Sequence, residues 1–519
     1  MTRDDPTNKW IVTITVMTGT LMSTIDTSIV NVALPHMRGS FGASVEEIAW
    51  VATGYMISNV IIMPIVAMLS SRFGRKRFYQ FSVLLFTASS MLCGMAWNLT
   101  SMVVFRIIQG IGGGTLIPVA QAILRETFPL EEQGTAMAIY GLGVILGPAF
   151  GPTLGGWLTD RYTWPWIFYI NVPVGVINMF LVMRFISDPP YLVREKGKID
   201  LSGLMLLIIG LGALQLMLEK GGQKNWFESS TIIYLTLTAA AGLLLFIWRE
   251  LATDHPAADL RILKNVSFAS GTMIGGILSM GLYGSLFLLP QFLQQLLGYP
   301  ALDSGLALMP RSIAMAVTMP LAGRLYNRVG PRPLVASGLL ISIFAFWRLS
   351  HLSLSLGVWD IFLPQFIQGT GNGMLFVALT TAALSEINRQ KMTAATGLYS
   401  VVRQVSGSIG IALAASQFTR AETISRAILM EKVTSGRDMT AEWLRVLSNW
   451  MLKRGSDPLT AGERALKFMD SEIMKQASML AFNHVFFLLA CLFALSIPFT
   501  FLLKGTNRNS TKGVRTPLE

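Results

Sequence analysis

Apolar runs of about twenty residues, the length an α-helix needs to cross the hydrocarbon core of a bilayer, recur along the whole sequence. Of the 519 residues, 52% are hydrophobic and 13% are charged, and the mean hydropathy is +0.53. A soluble domain could not bury this many apolar segments in its core. The pattern predicts an all-α polytopic membrane protein. Its fourteen predicted spans are 11–34, 47–69, 78–97, 101–123, 134–157, 165–186, 201–218, 231–249, 267–292, 304–323, 334–350, 358–384, 394–416 and 478–503.

The first apolar run is predicted to remain as a span rather than to be cleaved as a signal peptide. It is longer than a signal sequence, contains Asp26 and ends at Pro35 without a small-residue cleavage site.

Sequence patterns of enzymes and metal proteins are absent. Cys93 and Cys491 lie in apolar runs of opposite halves, so neither a disulfide framework nor a thiolate metal site is predicted. The sequence has no Walker loop for ATP phosphates and no HExxH zinc pattern. We therefore expect no enzymatic activity, no metal and no cofactor, and ATP is excluded as the energy source.

The Lys and Arg residues, which give a net charge of +12, are concentrated in alternate connections between spans. One set of connections, with both termini, holds 23 of them, whereas the short loops of the other set hold five. Since cytoplasmic loops carry this excess, residues 1–9 and 504–519 are predicted to be cytoplasmic. The predicted external segment 417–477 holds ten more, but long loops translocate largely regardless of charge. This distribution, rather than a nucleic-acid surface, explains the basic charge.

Two pairs of similar segments reveal an internal repeat. AMLSSRFGRKR (67–77) resembles AGRLYNRVGPR (322–332), in which Arg72 aligns with Arg328 at an offset of 256 residues. FRIIQGIGGG (105–114) resembles PQFIQGTGNG (364–373) at an offset of 259 residues. Parallel repeats of this kind build rocker-type transporters, which hold substrate at the midplane between two halves. The predicted units are a six-helix bundle at 10–186, an insertion with spans 7 and 8 at 187–266, and a second six-helix bundle at 267–503.

Asp26 and Arg106 are ionisable residues well inside spans of the first half, where a charge costs about 2.5 kcal/mol or more. Burial favours the neutral form of a carboxylate, so Asp26 is suited to exchange a proton when its surroundings change. Arg106 does not lose its proton and must find an acceptor. We interpret the two as a proton-coupling pair in which Arg106 tunes Asp26. A permanently paired structural carboxylate, and an arginine bonded to backbone carbonyls, remain alternatives.

Four further polar residues in apolar runs are candidates for function. Gln109, one turn after Arg106, and the second-half residues Arg311 and Arg403 are candidate substrate contacts. The arginines would meet an anionic substrate or hold two helices together. His484, near the start of the last span, is a candidate second proton carrier because histidine titrates near physiological pH. The alternative for His484 is an interior side chain with its hydrogen bonds satisfied.

Span 5 has glycines at every fourth position, which line one face of the helix and allow close backbone approach. Two prolines remove helix hydrogen bonds and favour a bend. We interpret this face as a tight contact between the halves that seals against proton leak, with plain helix packing as the alternative. The residues are Gly143, Gly147, Pro148, Gly151, Pro152 and Gly155.

Four motifs make the chain resemble the major facilitator superfamily, and within it the fourteen-span drug:proton antiporters of the EmrB/QacA type. They are the first-span stretch STIDTSIVNVALP (23–35), the loop AMLSSRFGRK (67–76), the span-4 pattern R-x-x-Q-G (106–110) and GVILGPAFGPTLGG (143–156). WPWIFYINVPVG (164–175) and HPAADLRILKN (255–265) are also similar to this subfamily. The resemblance covers nearly the whole chain.

The resemblance, closest to EmrB-like exporter subunits, implies the major facilitator fold and proton-driven multidrug efflux across a bacterial inner membrane. It also implies an EmrA-like periplasmic adaptor and a TolC-like outer-membrane channel as partners, with the proton gradient as the energy source. Within the family pattern, Asp26 carries the proton and Arg106 relays it.

The loop after span 2 is the family's cytoplasmic gate, and the resemblance assigns Arg72, Gly74 and Arg75 to it. The superfamily expects Gly and Asp where this chain has Ala67 and Ser71. A serine only forms hydrogen bonds, so the family's charge relay is not expected in this loop. Its basic residues Arg72, Arg75, Lys76 and Arg77 would instead meet lipid phosphates or the carbonyl end of a facing helix, or serve as ordinary cytoplasmic anchors.

The external segment contains AEWLRVLSNWMLKR (441–454), whose tryptophans recur at helical spacing. It is predicted to be an amphipathic helix that lies on the outer leaflet, or one that contacts the adaptor. Two rival functions remain at this stage. One is export of a single physiological compound, such as a fatty acid or siderophore, and the other is a non-transporting membrane sensor or scaffold.

Overall fold

The computed structural model describes residues 8–188, 200–253, 256–355, 357–433 and 438–503. Within these ranges every regular element is helical. We number the long helices α1 (Lys9–Phe41), α2 (Val45–Phe73), α3 (Arg75–Gly94), α4 (Leu99–Thr127), α5 (Gln133–Arg161), α6 (Trp166–Phe185), α7 (Leu201–Lys220), α8 (Ser230–Ala252), α9 (Val266–Leu296), α10 (Ala301–Val329), α11 (Pro331–Leu349), α12 (Val358–Leu384), α13 (Met392–Lys432), α14 (Asp438–Lys453) and α15 (Pro458–Ser496).

Each of the fourteen predicted spans lies on one of these helices, α1 to α13 and α15. Within the described ranges, eleven helices are long and apolar enough to cross a membrane by length and composition, namely α2, α4 to α11, α13 and α15. The polytopic helical fold is therefore confirmed. The count of fourteen remains a prediction, because α1, α3 and α12 are not among those eleven.

The same helix pairs pack together in the two parts of the repeat. In the first part α1 packs along α5, α2 and α3 pack along α4, and α3 contacts α6. In the second part α9 packs along α13, α10 and α11 pack along α12, and α11 contacts α15. The inserted helices α7 and α8 pack on each other, and α7 contacts both α2 and α13. This arrangement agrees with the predicted division into two bundles and an insertion, whose boundaries stay a prediction.

The glycine face of α5 packs against α1 inside the first part, which corrects the interpretation of a contact between halves. A Cβ on Gly147 would lie 2.5 Å from the backbone of Thr24, and one on Gly155 would lie 2.8 Å from Ile29. The Ser28 hydroxyl donates to the Gly147 carbonyl at 2.9 Å. Small residues let two neighbouring helices approach, and the nearest neighbour of this face is α1. The six residues of the motif all lie on the unbroken helix α5.

The two parts of the repeat meet through the opposite end of α5. Gly134, at the start of α5, faces Gly323 of α10, and a Cβ on either would lie 2.6 Å from the other's carbonyl oxygen. Further along, the Tyr140 ring stacks on Phe376 of α12 with 6.2 Å between centroids. This contact lies at the end of the molecule that holds the start of α1, which is the predicted cytoplasmic end.

The predicted external loop 417–477 is largely helical where the structure describes it. Helix α13 continues 16 residues past the predicted span end to Lys432, roughly 24 Å of additional helix, and α15 begins at Pro458. An Arg426–Asp470 ion pair of 2.8 Å joins these extensions. Helix α14 packs on α15, with the Trp450 and Phe468 rings 6.3 Å apart. The predicted helix at 441–454 is thus confirmed as α14, whereas its location on the outer leaflet or against an adaptor remains a prediction.

Candidate functional site

Asp26 lies at the centre of a buried polar cluster in the first part of the repeat. Its side chain has no solvent exposure and receives three hydrogen bonds. Arg106 Nη1 donates to Oδ2 at 2.6 Å, while the amides of Gln109 and Asn171 each donate to Oδ1 at 3.0 Å. The carboxylate is therefore held by one cation and two neutral donors, all on neighbouring helices.

The Arg106 guanidinium makes polar and aromatic contacts with several neighbouring residues. Besides Asp26, its Nη1 lies 2.7 Å from Gln109 Oε1, and its Nε donates to the Val51 carbonyl at 3.1 Å. The guanidinium lies over the Tyr55 ring at 4.1 Å from the centroid. Because each charge of a buried pair compensates the other, removal of one partner leaves the other without its counterion. The structure thus brings Gln109, a candidate substrate contact, into the same cluster as Asp26 and Arg106, which the sequence analysis interpreted as a pair.

The glycines of α4 bring this cluster together. A Cβ on Gly110 would lie 2.5 Å from the Tyr55 carbonyl oxygen, and one on Gly114 would lie 2.4 Å from that of Asn59. A Cβ on Gly112 would lie 2.8 Å from a backbone nitrogen of α3. Helices α2 and α3 therefore contact α4 at backbone distance, which aims Arg106 and Gln109, three residues apart on one face, toward α1.

Asn171 is a site residue that the sequence analysis did not single out. It follows a short break in α6 at Ile170, and its amide also donates to Ser90 Oγ at 3.1 Å. Its side chain is 3% exposed. The sequence could have indicated Asn171, because it is an amide side chain inside the apolar segment 164–175, where a polar group needs a hydrogen-bond partner.

Arg311 lies in a second buried cluster, in the second part of the repeat. Its Nε donates to Gln365 Oε1 at 2.9 Å and its Nη2 donates to Gln368 Oε1 at 2.6 Å. The Gln368 amide in turn donates to Ser285 Oγ at 3.4 Å. Arg311 is 2% exposed, and no described residue forms an ion pair with it.

Arg403 does not join Arg311. Its Nε donates to Ser279 Oγ at 3.3 Å, and its guanidinium lies over Phe376, 4.7 Å from the centroid, and near Tyr399. The Phe376 ring is the one on which Tyr140 stacks. Arg403 thus lies close to where the two parts of the repeat meet, and aromatic faces stabilise its charge.

His484 is exposed on α15, contrary to the expectation of an interior side chain. The preceding residue, Asn483, points inward and donates to the Leu352 carbonyl at 2.9 Å. Since successive residues of a helix point about 100° apart, the inward direction of Asn483 turns His484 outward. Helix α15 packs against α9, α11 and α13. The structure therefore does not bring His484 into the Asp26 cluster.

The loop between α2 and α3 contributes to the contact between the two parts of the repeat. Gly74 connects the helices at a φ of 85°, which favours glycine. Arg75 forms a buried ion pair with Glu126 at the end of α4, and its Nη2 donates to Thr393 Oγ1 of α13 at 2.9 Å. Arg72 is exposed at the end of α2.

Glu126 supplies an acid to this loop, a role that the sequence analysis left unassigned. Ser71, which occupies the usual acidic position, donates to the Met68 carbonyl of its own helix at 3.0 Å. A second link between the two parts is the amide of Asn327, which donates to the Glu131 carbonyl. The described inter-part hydrogen bonds of this loop region thus lie at the predicted cytoplasmic end.

Comparison with known proteins gives four matches. Residues 16–411 match the family model of the Major Facilitator Superfamily. The chain is 32% identical over 481 residues to the multidrug export protein EmrB of Haemophilus influenzae, with 92% of each chain covered. It is 32% identical over 497 residues to the fatty acid resistance protein FarB of Neisseria gonorrhoeae, with 95% of this chain and 96% of that one covered. The solved structure of the human organic anion transporter MFSD10 (TETRAN) aligns with a TM-score of 0.60 at 14% identity, covering 96% of this chain and 100% of the other.

Proposed function

Because this chain belongs to the Major Facilitator Superfamily, we propose that it exports hydrophobic and amphipathic drugs across a bacterial inner membrane in exchange for protons. Similarity to EmrB over most of the chain supports a drug exporter of this superfamily. The superfamily consists of transporters rather than enzymes, and the buried Asp26 carboxylate is a possible proton acceptor.

The fully buried Asp26–Arg106 ion pair is the observation that supports the proposal of proton coupling. When Asp26 is ionised, it holds Arg106 and so links α1 to α4. When it is protonated, the pair loses its Coulomb attraction and the guanidinium is free to seek other acceptors. Each protonation state therefore favours a different arrangement of α1 and α4, and coupling requires no more than this difference.

In the proposed cycle, a proton from outside binds Asp26 and promotes release of the drug there. Loss of that proton to the cytoplasm restores the ion pair and the affinity for the next drug molecule. Each inward proton contributes about 2.3 kcal/mol per 100 mV of membrane potential. Gln109, within hydrogen-bond distance of both charges, follows the change at Asp26 and is a candidate to report it to the substrate.

The cytoplasmic gate is proposed to be the Arg75 contact. Arg75 joins Glu126 of the first part to Thr393 of the second. Opening the cytoplasmic side must break the bond to Thr393, whereas the buried pair with Glu126 moves with the first part. Glu126 thus takes the place of the acid that Ser71 lacks.

We further propose that the exporter works with an EmrA-like periplasmic adaptor and a TolC-like outer-membrane channel, with both termini cytoplasmic. The extensions of α13 and α15, together with α14, are proposed to form the external surface that contacts the adaptor. Trp443 on α14 is 60% exposed. Deletion of residues 441–454 is expected to abolish co-purification with the adaptor, and unchanged co-purification would contradict this contact.

The experiment that tests antiport uses proteoliposomes with a pH-sensitive dye inside. An outward gradient of ethidium should drive proton influx in the wild type, and Asp26→Asn should abolish it. Glu463→Gln is the matched control, because it also removes a carboxylate but one that is exposed and paired with Lys467. Equal proton influx in Asp26→Asn and Glu463→Gln would contradict the assignment of Asp26.

A further inference from the structure

Arg311 is a buried guanidinium whose neighbours do not neutralise it. Its Nε and Nη2 are held by two neutral amide oxygens, those of Gln365 and Gln368, and its Nη1 has no hydrogen-bond partner among the described residues. Arg106, at comparable burial, has the Asp26 carboxylate. A charge inside a membrane protein is costly unless it is paired, so the position of Arg311 needs an explanation beyond packing.

The internal repeat shows how this cluster relates to the proton site. Gln365 and Gln368 follow Arg106 and Gln109 by 259 residues, and Arg311 follows Tyr55 by 256. The guanidinium of the second cluster thus comes from α10, where the first cluster has the aromatic ring that covers Arg106. The position facing the glutamine from the first helix of each part is occupied by Asp26 in one and Ser285 in the other. Among the described residues, the second cluster therefore contains a cation but no carboxylate that pairs with it.

Unpaired amides lie on the helix face that contacts this cation. Gln365 Nε2, beside Arg311, is buried and has no hydrogen-bond partner among the described residues, and the same holds for both amide atoms of Asn372, one turn beyond Gln368. Gln365, Gln368 and Asn372 are spaced three and four residues apart and share one face of α12. Buried polar groups are almost always paired, and several unpaired ones beside a charge indicate a place for a ligand.

We propose that this cluster binds the carboxylate of an amphipathic acid, with Arg311 Nη1 donating to one oxygen and the Gln365 amide to the other. A carboxylate carries the single negative charge that one guanidinium neutralises, whereas a doubly charged phosphate would leave a net negative charge in the membrane interior. The remainder of the molecule is apolar because Arg311 lies on α10, a helix long and apolar enough to cross a membrane. As a transport site this proposal rests on the proposed function, whereas binding itself does not.

The test is equilibrium binding of dansyl-labelled undecanoic acid and of its methyl ester to the purified full-length protein in detergent at pH 8. The ester has the same chain and ring without the charge. Since a charge-assisted hydrogen bond is strong, the wild type should bind the acid at least about tenfold more tightly than the ester. Arg311→Gln should abolish this preference without changing affinity for the ester, and Arg311→Lys should retain part of it.

Arg324→Gln is the matched control, because it removes the same charge from an exposed position of the same helix and should keep the preference. Retention of the preference in Arg311→Gln would overturn the proposal, as would its loss in Arg403→Gln but not in Arg311→Gln. A wild type that binds acid and ester equally would also overturn it. Thermal stabilisation by sodium chloride equal to that by the acid would indicate an inorganic-anion site and overturn the carboxylate assignment.

The fold of each variant is checked by gel filtration and by its thermal unfolding midpoint, and antiport by the wild type is measured separately as ethidium-driven proton influx. An Arg311→Gln protein that elutes as the wild type does and binds the ester with unchanged affinity, but has lost the preference for the acid, supports the carboxylate site. A wild type without proton influx contradicts the proposed antiport and leaves the binding result to decide the carboxylate site.

Discussion

The buried Asp26–Arg106 pair predicts strong energetic coupling between its two members. Arg106→Gln leaves Asp26 with two amide donors and no cation, whereas Asp26→Asn leaves Arg106 with Gln109, the Val51 carbonyl and the Tyr55 ring. Breaking a buried pair costs about 3–5 kcal/mol, since the remaining charge is uncompensated. We expect each single variant to lower the free energy of unfolding by about 3 kcal/mol or more.

The double variant removes both charges and should be much less destabilised than the sum of the single variants. The expected coupling energy is about 2–4 kcal/mol, because most of each single loss comes from the charge left behind. Unfolding in mixed detergent and SDS micelles, followed by the fluorescence of the 12 tryptophans, measures each corner of the cycle.

An exposed ion pair provides the control cycle. Arg426 and Asp470 lie 2.8 Å apart, and both side chains are more than two-fifths exposed. Their coupling energy should be below about 1 kcal/mol. Additive effects at Asp26 and Arg106, within the error of the control cycle, would refute the claim that the two charges compensate each other.

Three further predictions concern single positions. Asn171→Ala removes an amide donor from the buried cluster and should lower the free energy of unfolding by about 1–3 kcal/mol, measured in the same micelles; an unchanged value would show that its hydrogen bonds contribute nothing. Gly134→Ala places a Cβ against the backbone of α10 and should weaken the closed cytoplasmic contact by about 1–3 kcal/mol, increasing labelling of a cysteine introduced beside it, whereas Gly462→Ala, which meets nothing within 4 Å, should not. Burial alone would raise the pKa of Asp200, but hydrogen bonds led by that from Arg249 lower it to about 2, so the stability that Asp200 contributes is present at neutral pH and lost as the pH falls from about 4 to 2. Asp200→Asn should therefore flatten the acid limb of a pH–stability curve, and an unchanged limb would contradict this.

The helices could be predicted from the sequence because a membrane-spanning helix leaves a continuous apolar signal. Local sequence also indicated that Asp26 and Arg106 need partners, since both carry a charge in an apolar run. It did not show that they pair with each other, because they are 80 residues apart and meet only through the packing of α1 on α4.

The wrong predictions concerned the direction in which a side chain or a helix face points, which a linear sequence pattern does not encode. The glycines of α5 correctly indicated close packing, but the partner was α1 rather than the other half. His484 lies outward because its neighbour Asn483 faces the core. Glu126 was missed since its pairing with Arg75 depends on how α4 ends beside the loop before α3. Position along a helix was predictable, whereas the facing partner required the tertiary arrangement.

The central claim is that Asp26 carries the exchanged proton, and proton release on drug binding tests it most directly. Ethidium is added to the purified protein in weakly buffered detergent, and the pH change is compared between wild type and Asp26→Asn. We predict that the wild type releases protons and that the variant still binds ethidium without releasing them. Equal release from both proteins would place the coupling group elsewhere and leave Asp26 as a structural partner of Arg106.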